Sequence, residues 1–339
     1  MKFTSTIYLS LLFSYFFVTN SDGQHIELGE VTWHRDLDAA TIKSQDEGKP
    51  IFILFQEVPG CLTCRNYGQQ VLSHPLVVEA IETYFIPVAI FNNKKGKDAE
   101  ALTFFQEPSW NNPVVRIVDS YKRDIIPRVN GNYSLSGIVG AITDVMTINN
   151  IEVPTYLEIL EEELSAESYK KQAYLSMYCF WTGEKVIGQI DGVVHTEPGF
   201  MDGKEVVKVE YDSRIANISG IAEAAQSRKC AETVYTTEKA QVTELDKKSN
   251  NYATKLAKSY RPDRDLKYYL SRTSYRFIPM TALQAVRVNS AIGQGASPNK
   301  FLSPRQLACL SSDDSKSRKN VIGVPLIDAW KTNGCAIKS

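Results

Sequence analysis

Histidine and cysteine are scarce in this chain, with four of the first and six of the second among 339 residues. Six cysteines are too few to staple a fold in place of a core. Only Cys61 and Cys64 stand close together; Cys179, Cys230, Cys309 and Cys335 are far apart, and His25, His34, His74 and His195 make no ligand spacing with them. Zinc, which needs four ligands and usually a second close pair, lacks its pattern. A formal charge of −1 supplies no global field to draw nucleic acid or an anionic membrane. No run beyond residue 18 is long and apolar enough to span a bilayer. There is no internal repeat and no low-complexity tract. Gly293-Gln294-Gly295 lacks the rest of a phosphate-binding motif. The sequence therefore calls for no metal and no organic cofactor. What remains is an ordinary globular composition, 43 % hydrophobic and 23 % charged, over a length sufficient for two domains.

The N-terminus sets the expected compartment. Lys2 precedes the apolar run Ile7 to Val18, and polar residues follow at once. This short run fits a signal peptide over residues 1–23, cleaved after Ser21 or Gly23. An uncleaved anchor is the alternative reading; no cysteine lies there to carry a lipid. The expected location is secreted or periplasmic, where disulfides persist, with no stable membrane span once the signal is removed.

Residues 24–150 alternate between strand and helix patterns. Pro50 to Gln56, Ile86 to Phe91 and Val114 to Asp119 read as buried strands; Leu37 to Gln45, Leu62 to Leu72, Val77 to Tyr84 and Leu135 to Met146 read as helices. The pattern predicts an α/β sandwich. Residues 151–172, with Glu158, Glu161, Glu162, Glu163 and Glu167, read as an exposed acidic helical linker. Residues 173–235 read as a small α+β module: strands at Tyr174 to Tyr178, Val193 to Glu197 and Glu205 to Tyr211, and helices at Phe180 to Ile190 and Ile218 to Arg228. Residues 236–339 read as a helical C-terminal region, best periodic over Pro279 to Ile292, with Ser303-Pro304-Arg305-Gln306 as a helix start.

The spacing of Cys61 and Cys64 carries the first chemistry. A strand at 50–56 and a turn at 57–60 place Cys61 where a helix begins, facing backbone N–H groups that favour thiolate over thiol. A thiolate attacks disulfides, and a cysteine one turn further in resolves the mixed disulfide. Redox chemistry is the leading reading; a zinc site and an inert structural disulfide remain its rivals. From Gly48-Lys49-Pro50 through the strand, the CxxC and Ser73-His74-Pro75-Leu76-Val77, residues 30–148 resemble the thioredoxin superfamily, in particular its exported members. That resemblance implies a cis proline beside the active site, and Pro113 in Asn111-Asn112-Pro113-Val114 stands where it belongs; an ordinary strand-entry proline is the alternative. Ordinary thioredoxins carry Trp before the first cysteine and Gly-Pro between the pair. Here Gly60 precedes and Leu62-Thr63 intervene, and Val58-Pro59-Gly60-Cys61 resembles a subfamily in which selenocysteine can take the first position.

Cys179-Phe180-Trp181 also follows a strand and opens a helix, with two rings beside the sulfur. A buried strand-end cysteine among core aromatics is the plain reading. With Gly192-Val193-Val194-His195-Thr196-Glu197-Pro198-Gly199-Phe200 and Glu205-Val206-Val207-Lys208-Val209-Glu210-Tyr211-Asp212, however, the stretch from Tyr178 to Ala225 resembles a shortened A-type peptide methionine sulfoxide reductase. The resemblance implies a two-layer α+β fold and a mechanism. Cys179 would attack the sulfoxide sulfur and become a sulfenic acid, Glu205 would supply a proton, and Phe180 and Trp181 would hold the methyl group. Cys335 would resolve, with Cys230 and Cys309 as alternatives; Cys335 as a tail thiol or as a structural partner of Cys309 is an equal reading. Tyr178 stands where the family has Gly. The loop between Phe200 and Glu205 lacks the family's Tyr and Thr-Gly-His, leaving the oxygen-binding side incomplete.

The expected whole is an exported thiol–disulfide oxidoreductase whose CxxC dithiol passes electrons to the second cysteine module. Its partners would be an external thiol–disulfide electron donor and oxidised protein or peptide substrates. The competing expectation is a redox-inactive binding scaffold. Asn132-Tyr133-Ser134 and Asn217-Ile218-Ser219 match glycosylation sequons, which matter only in a eukaryotic secretory path.

Overall fold

The computed structural model describes residues 25–248, 251–311 and 318–333. The first module is built on α1 (Leu37–Glu47), β1 (Ile51–Gln56), α2 (Leu62–Gln70), α3 (Pro75–Tyr84), β2 (Ile86–Phe91), α4 (Lys97–Phe104), β3 (Val114–Val118), β4 (Val129–Asn130) and α5 (Leu135–Ile148). The sheet order is β2-β1-β3-β4, with β1 parallel to β2 and antiparallel to β3. Every residue of β1 is buried, which is why the strand reads as an unbroken apolar run. Its side chains divide by parity. Phe52 and Leu54 face a core shared with Leu76, Ile81 and Ile142, whereas Ile51, Ile53 and Phe55 face one shared with Leu37, Leu102 and Phe105. Helices therefore cover both faces. The sequence pattern missed α4, whose Lys97, Asp98 and Glu100 dilute a short apolar stripe. The Asp36 side chain caps α1, which stops at Gly48 in the left-handed region (φ 66°).

The second module comprises α6 (Thr155–Ala166), β5 (Lys170–Ser176), α7 (Phe180–Ile187), β6 (Val193–Met201), β7 (Lys204–Asp212), α8 (Ile218–Gln226), β8 (Thr233–Thr236), α9 (Lys239–Lys248), β9 (Ala253–Leu256), β10 (Arg261–Pro262), α10 (Tyr268–Ser271), α11 (Ala282–Gly293), α12 (Pro304–Ser311) and α13 (Leu326–Asn333). Its sheet runs β10-β6-β7-β5-β8-β9 and is antiparallel except for β8 beside β9. The β6–β7 hairpin turns on Asp202 and Gly203, both at positive φ (55° and 75°), the geometry that matches strand twist in a two-residue loop. Leu175, Val207 and Val209 pack against Ile187 of α7 and Ile221, Ala222 and Ala225 of α8.

Two expectations are corrected. The acidic stretch 151–172 is helical over Thr155–Ala166, gives its last three residues to β5, and is not an exposed linker. Tyr156, Leu157 and Leu160 of α6 enter the first core, and Ile159 and Ala166 pack against Val194, Leu283 and Val286. Its glutamates hid that stripe, and two of them hold α11: Glu162 pairs with Arg287 at 3.0 Å, and Glu163 accepts the Leu283 N–H at 3.0 Å. The region 236–339 is not wholly helical, since β9 and β10 extend the second sheet; both are too short to show a period of two. The same region reaches back to the first module. Arg305 pairs with Glu82, its N–H donates to Glu79 at 2.9 Å, and Leu326 enters the first core. Ser303 and Gln306 form reciprocal caps at the start of α12, where the sequence placed a helix start.

Two candidate thiol sites

Strand β1 ends at Gln56, and after a four-residue turn Cys61 is the N-cap of α2, exposed, with Cys64 wholly buried one turn on. The two sulfurs are 3.4 Å apart as a dithiol. Hydrogen bonding from the Cys64 backbone N–H, offset by partial burial and aided by the Cys64 thiol and by Thr63, holds the Cys61 thiol below its ordinary range. Burial, with the adjacent Cys61 thiol and its charge, pushes Cys64 up to about 12. One sulfur is thus primed to attack while the other stays protonated. The Cys64 thiol donates to Asn112 Oδ1 at 2.8 Å, and the following Asn112–Pro113 peptide is cis. Asn112, which the sequence reading did not single out, is the residue just before Pro113.

Gly60 is a packing requirement. A Cβ there would lie 2.7 Å from Cys64 Cβ and closer still to the Glu57 carbonyl oxygen. Its N–H donates to buried Glu27 at 2.9 Å, and Gln56 Nε2 donates to the carbonyls of Glu27 (2.7 Å) and Cys64 (3.1 Å). A side chain at this position has no room unless the 57–60 turn or the start of α2 shifts. Glu57, Cys61 and Cys64 offer three ligand atoms within 4.8 Å of one another. Among the described residues that is one ligand short of a closed tetrahedral site.

In the second module Cys179 is the half-buried N-cap of α7. Glu205 is the second residue of β7, and its neighbour Val206 is in register with Ser176 at the end of β5. The strand pairing thus delivers the carboxylate to the helix start, where it accepts the Phe180 N–H at 2.9 Å. Phe180 is buried, its ring 5.5 Å from that of Trp181 and 5.5 Å from that of Phe200. Trp181 also stacks on Tyr268 at 3.9 Å, a ring from the segment after β10. The structure therefore groups Cys179, Phe180, Trp181 and Glu205, and adds Phe200 and Tyr268. No short motif links Tyr268 to Cys179 in the sequence, which is why it was missed. Of the three resolving candidates, Cys230 is 2 % exposed and its thiol is pushed up by burial, with Lys185 opposing and Cys179 adding. Cys309 is engaged in a disulfide, and Cys335 lies outside the described residues. Among the described residues no helix is long and apolar enough to cross a membrane.

Comparison with known proteins divides the chain in the same way. A thioredoxin-like family model matches residues 32–120, and a peptide methionine sulfoxide reductase model matches residues 171–253. A curated relative, the peptide methionine sulfoxide reductase MsrA of Methanococcus maripaludis, is 35 % identical over 68 residues, 15 % of this chain and 43 % of that protein. The chain thus spans less than half the length of that relative. Two solved structures similar to this one are the DsbH oxidoreductase (16 % identity, 38 % of this chain, 90 % of that chain, TM-score 0.31) and a thioredoxin from Thermus thermophilus (17 %, 34 %, 86 %, 0.30). The N-terminal module is thioredoxin-like, and the module after it is an α/β domain like peptide methionine sulfoxide reductase.

Proposed function

We propose that this chain is an exported thiol–disulfide oxidoreductase in which the Cys61–Cys64 dithiol serves a second, sulfur-based module. The observation that carries the reading is the asymmetry of the pair: Cys61 is exposed at a helix N-terminus with its proton affinity lowered, and Cys64 is buried with its own raised. The Cys61 thiolate attacks a substrate disulfide, releasing one thiol and forming a mixed disulfide. Cys64 then displaces the second thiol and closes Cys61–Cys64, so that two electrons and two protons pass to the substrate. An external dithiol resets the pair.

In the second module Cys179 attacks the sulfur of a methionine sulfoxide. Glu205 relays a proton to the departing oxygen, and a sulfenic acid and methionine result. A second thiol then expels water and leaves a disulfide, the form that the Cys61–Cys64 pair is suited to reduce. The leader at residues 1–23, which lies outside the described residues, supports a secreted or periplasmic location, and Val58-Pro59-Gly60-Cys61 supports kinship with selenocysteine-bearing relatives.

Two observations favour a second reading, a repurposed module without sulfoxide turnover. The loop between Phe200 and Glu205 lacks the family's tyrosine, and Tyr268 lies on Trp181. Dithiothreitol-driven turnover separates the two. Peptide S-methionine sulfoxide and insulin disulfides are offered to wild type, Cys61→Ser and Cys179→Ser. Sulfoxide reduction lost in Cys179→Ser supports the full scheme. Insulin reduction lost only in Cys61→Ser, with no sulfoxide turnover, supports the second reading. Absence of both activities leaves a binding scaffold.

A further inference from the structure

The aromatic wall beside Cys179 is occupied by the protein itself. Trp181 is near-parallel to Phe180 (15°) and to Tyr268 (14°), and its stack with Tyr268 is the tighter, at 3.9 Å between centroids. The Arg272 guanidinium covers Tyr268 in turn, at 4.8 Å. Tyr268 arrives from outside the matched family region and is held by its neighbour. Lys267 is a non-glycine residue at φ +50°, a conformation that persists only where its surroundings over-determine it. Those surroundings are visible. Its side chain is 5 % exposed, and the ammonium donates to Glu184 Oε1 at 2.8 Å, to Thr196 Oγ1 at 3.3 Å and to the Thr196 carbonyl. Glu184 belongs to α7, the helix that Cys179 caps, and Thr196 to β6. Three positions on, the Leu270 N–H donates to buried Asn289 at 3.1 Å. The segment is pinned on both sides of Tyr268.

Resting on the sulfoxide-reductase reading of this module, we propose that residues 267–272 form a clasped cover over the Cys179 site. Tyr268 occupies the Trp181 surface that a methyl sulfoxide would take, and substrate enters only when that ring swings away about the Lys267 anchor. The clasp confers selectivity, because a substrate must offer enough contact to replace an aromatic stack. A methionine sulfoxide within a peptide can do so, whereas a small free sulfoxide does so poorly.

The full reduced chain contains the reporters for a test that needs no turnover. N-ethylmaleimide labelling is followed at each cysteine by peptide mapping, with exposed Cys61 as the reference and buried Cys230 as the sentinel of folding. Tyr268→Ala is expected to speed labelling of Cys179 about tenfold, the factor one aromatic stack can withhold, with Cys61 and Cys230 unchanged. Tyr268→Phe, which keeps the ring, is expected to label at the wild-type rate. Labelling of Cys179 in Tyr268→Ala at the wild-type rate overturns the cover, as does a rise only in step with Cys230. Peptide sulfoxide reduction is assayed beside it. If no variant turns over, the catalytic reading fails while labelling still decides the cover.

Discussion

Adding one carbon at Gly60 tests the packing of the dithiol directly. A Cβ there would sit 2.7 Å from Cys64 Cβ and 3.2 Å from Cys64 Sγ, and nearer still to the Glu57 carbonyl. The closest obstacle is backbone, so the strain cannot be relieved by a side-chain rotation; the 57–60 turn or the first turn of α2 must shift. Overpacking of this kind costs about 1–3 kcal/mol. That cost raises the population of locally opened states about 5- to 150-fold, and wholly buried Cys64 reports those openings. The assay is slow alkylation of Cys64 in a Cys61→Ser background, compared with the same protein carrying Gly60→Ala. Because the raised proton affinity of Cys64 acts in both proteins, the ratio isolates the opening step. A ratio within twofold of one would refute the argument that Gly60 is required by packing. Gly60→Trp, which installs the residue ordinary thioredoxins carry, is expected to do worse than Gly60→Ala.

Three further outcomes are expected. In wild type, Cys61 should alkylate at pH values where an ordinary thiol is protonated and Cys64 should stay silent until pH nears 12; because the Cys64 backbone N–H is the leading cause at Cys61, Cys64→Ser should shift the Cys61 profile upward only in part. Burial lowers His74 to about 4, against an unfolded value near 6.5. The unfolded chain therefore binds the proton first, and stability, fully present above pH 6.5, should fall by about 3 kcal/mol as pH drops to 4 and then level off. Thermal unfolding against pH should show the fall and His74→Phe should flatten it, leaving the contribution of His195, which shifts in the same direction. Lys267→Met strands the Glu184 carboxylate, 0 % exposed, without its counter-charge, at a cost of about 3–5 kcal/mol. Adding Glu184→Gln should recover much of that loss in a denaturation series, and an additive double variant would show that the pair is not coupled.

The readily legible features were those written in local pattern. The unbroken apolar run of β1, the placement of Cys61 at a helix start, and the Cys179-Phe180-Trp181 step from strand to helix all stand within a dozen residues of their determinants. Glu205 was reached only through the order of three motifs, yet strand pairing between β5 and β7 is what puts it beside Cys179. Asn112, Glu27 and Tyr268 lay beyond sequence reasoning because their partners are 48, 33 and 87 positions away; nothing local marks Asn112 as the acceptor for Cys64 or Tyr268 as the ring over Trp181. The glutamates of α6 misled for a related reason. Their charge suggested solvent, but Glu162 and Glu163 are spent on Arg287 and the start of α11.

The contact of α12 with α3 changes the terms on which the two sulfur centres can meet. Two modules on a slack tether sample each other continually, and the effective concentration of one at the other follows from tether length alone. Here the Arg305–Glu82 pair and the seating of Leu326 in the first core fasten the far end of the chain back onto the first module. The effective concentration then ceases to be a matter of length and becomes nearly binary: high if the fastened orientation brings Cys61 within reach of the oxidised second centre, negligible if it does not. In the second case, the proposed transfer of electrons would wait on release of the α3–α12 contacts, of Leu326 and of the α6 packing that joins the two modules, and the proposed relay would acquire a latch.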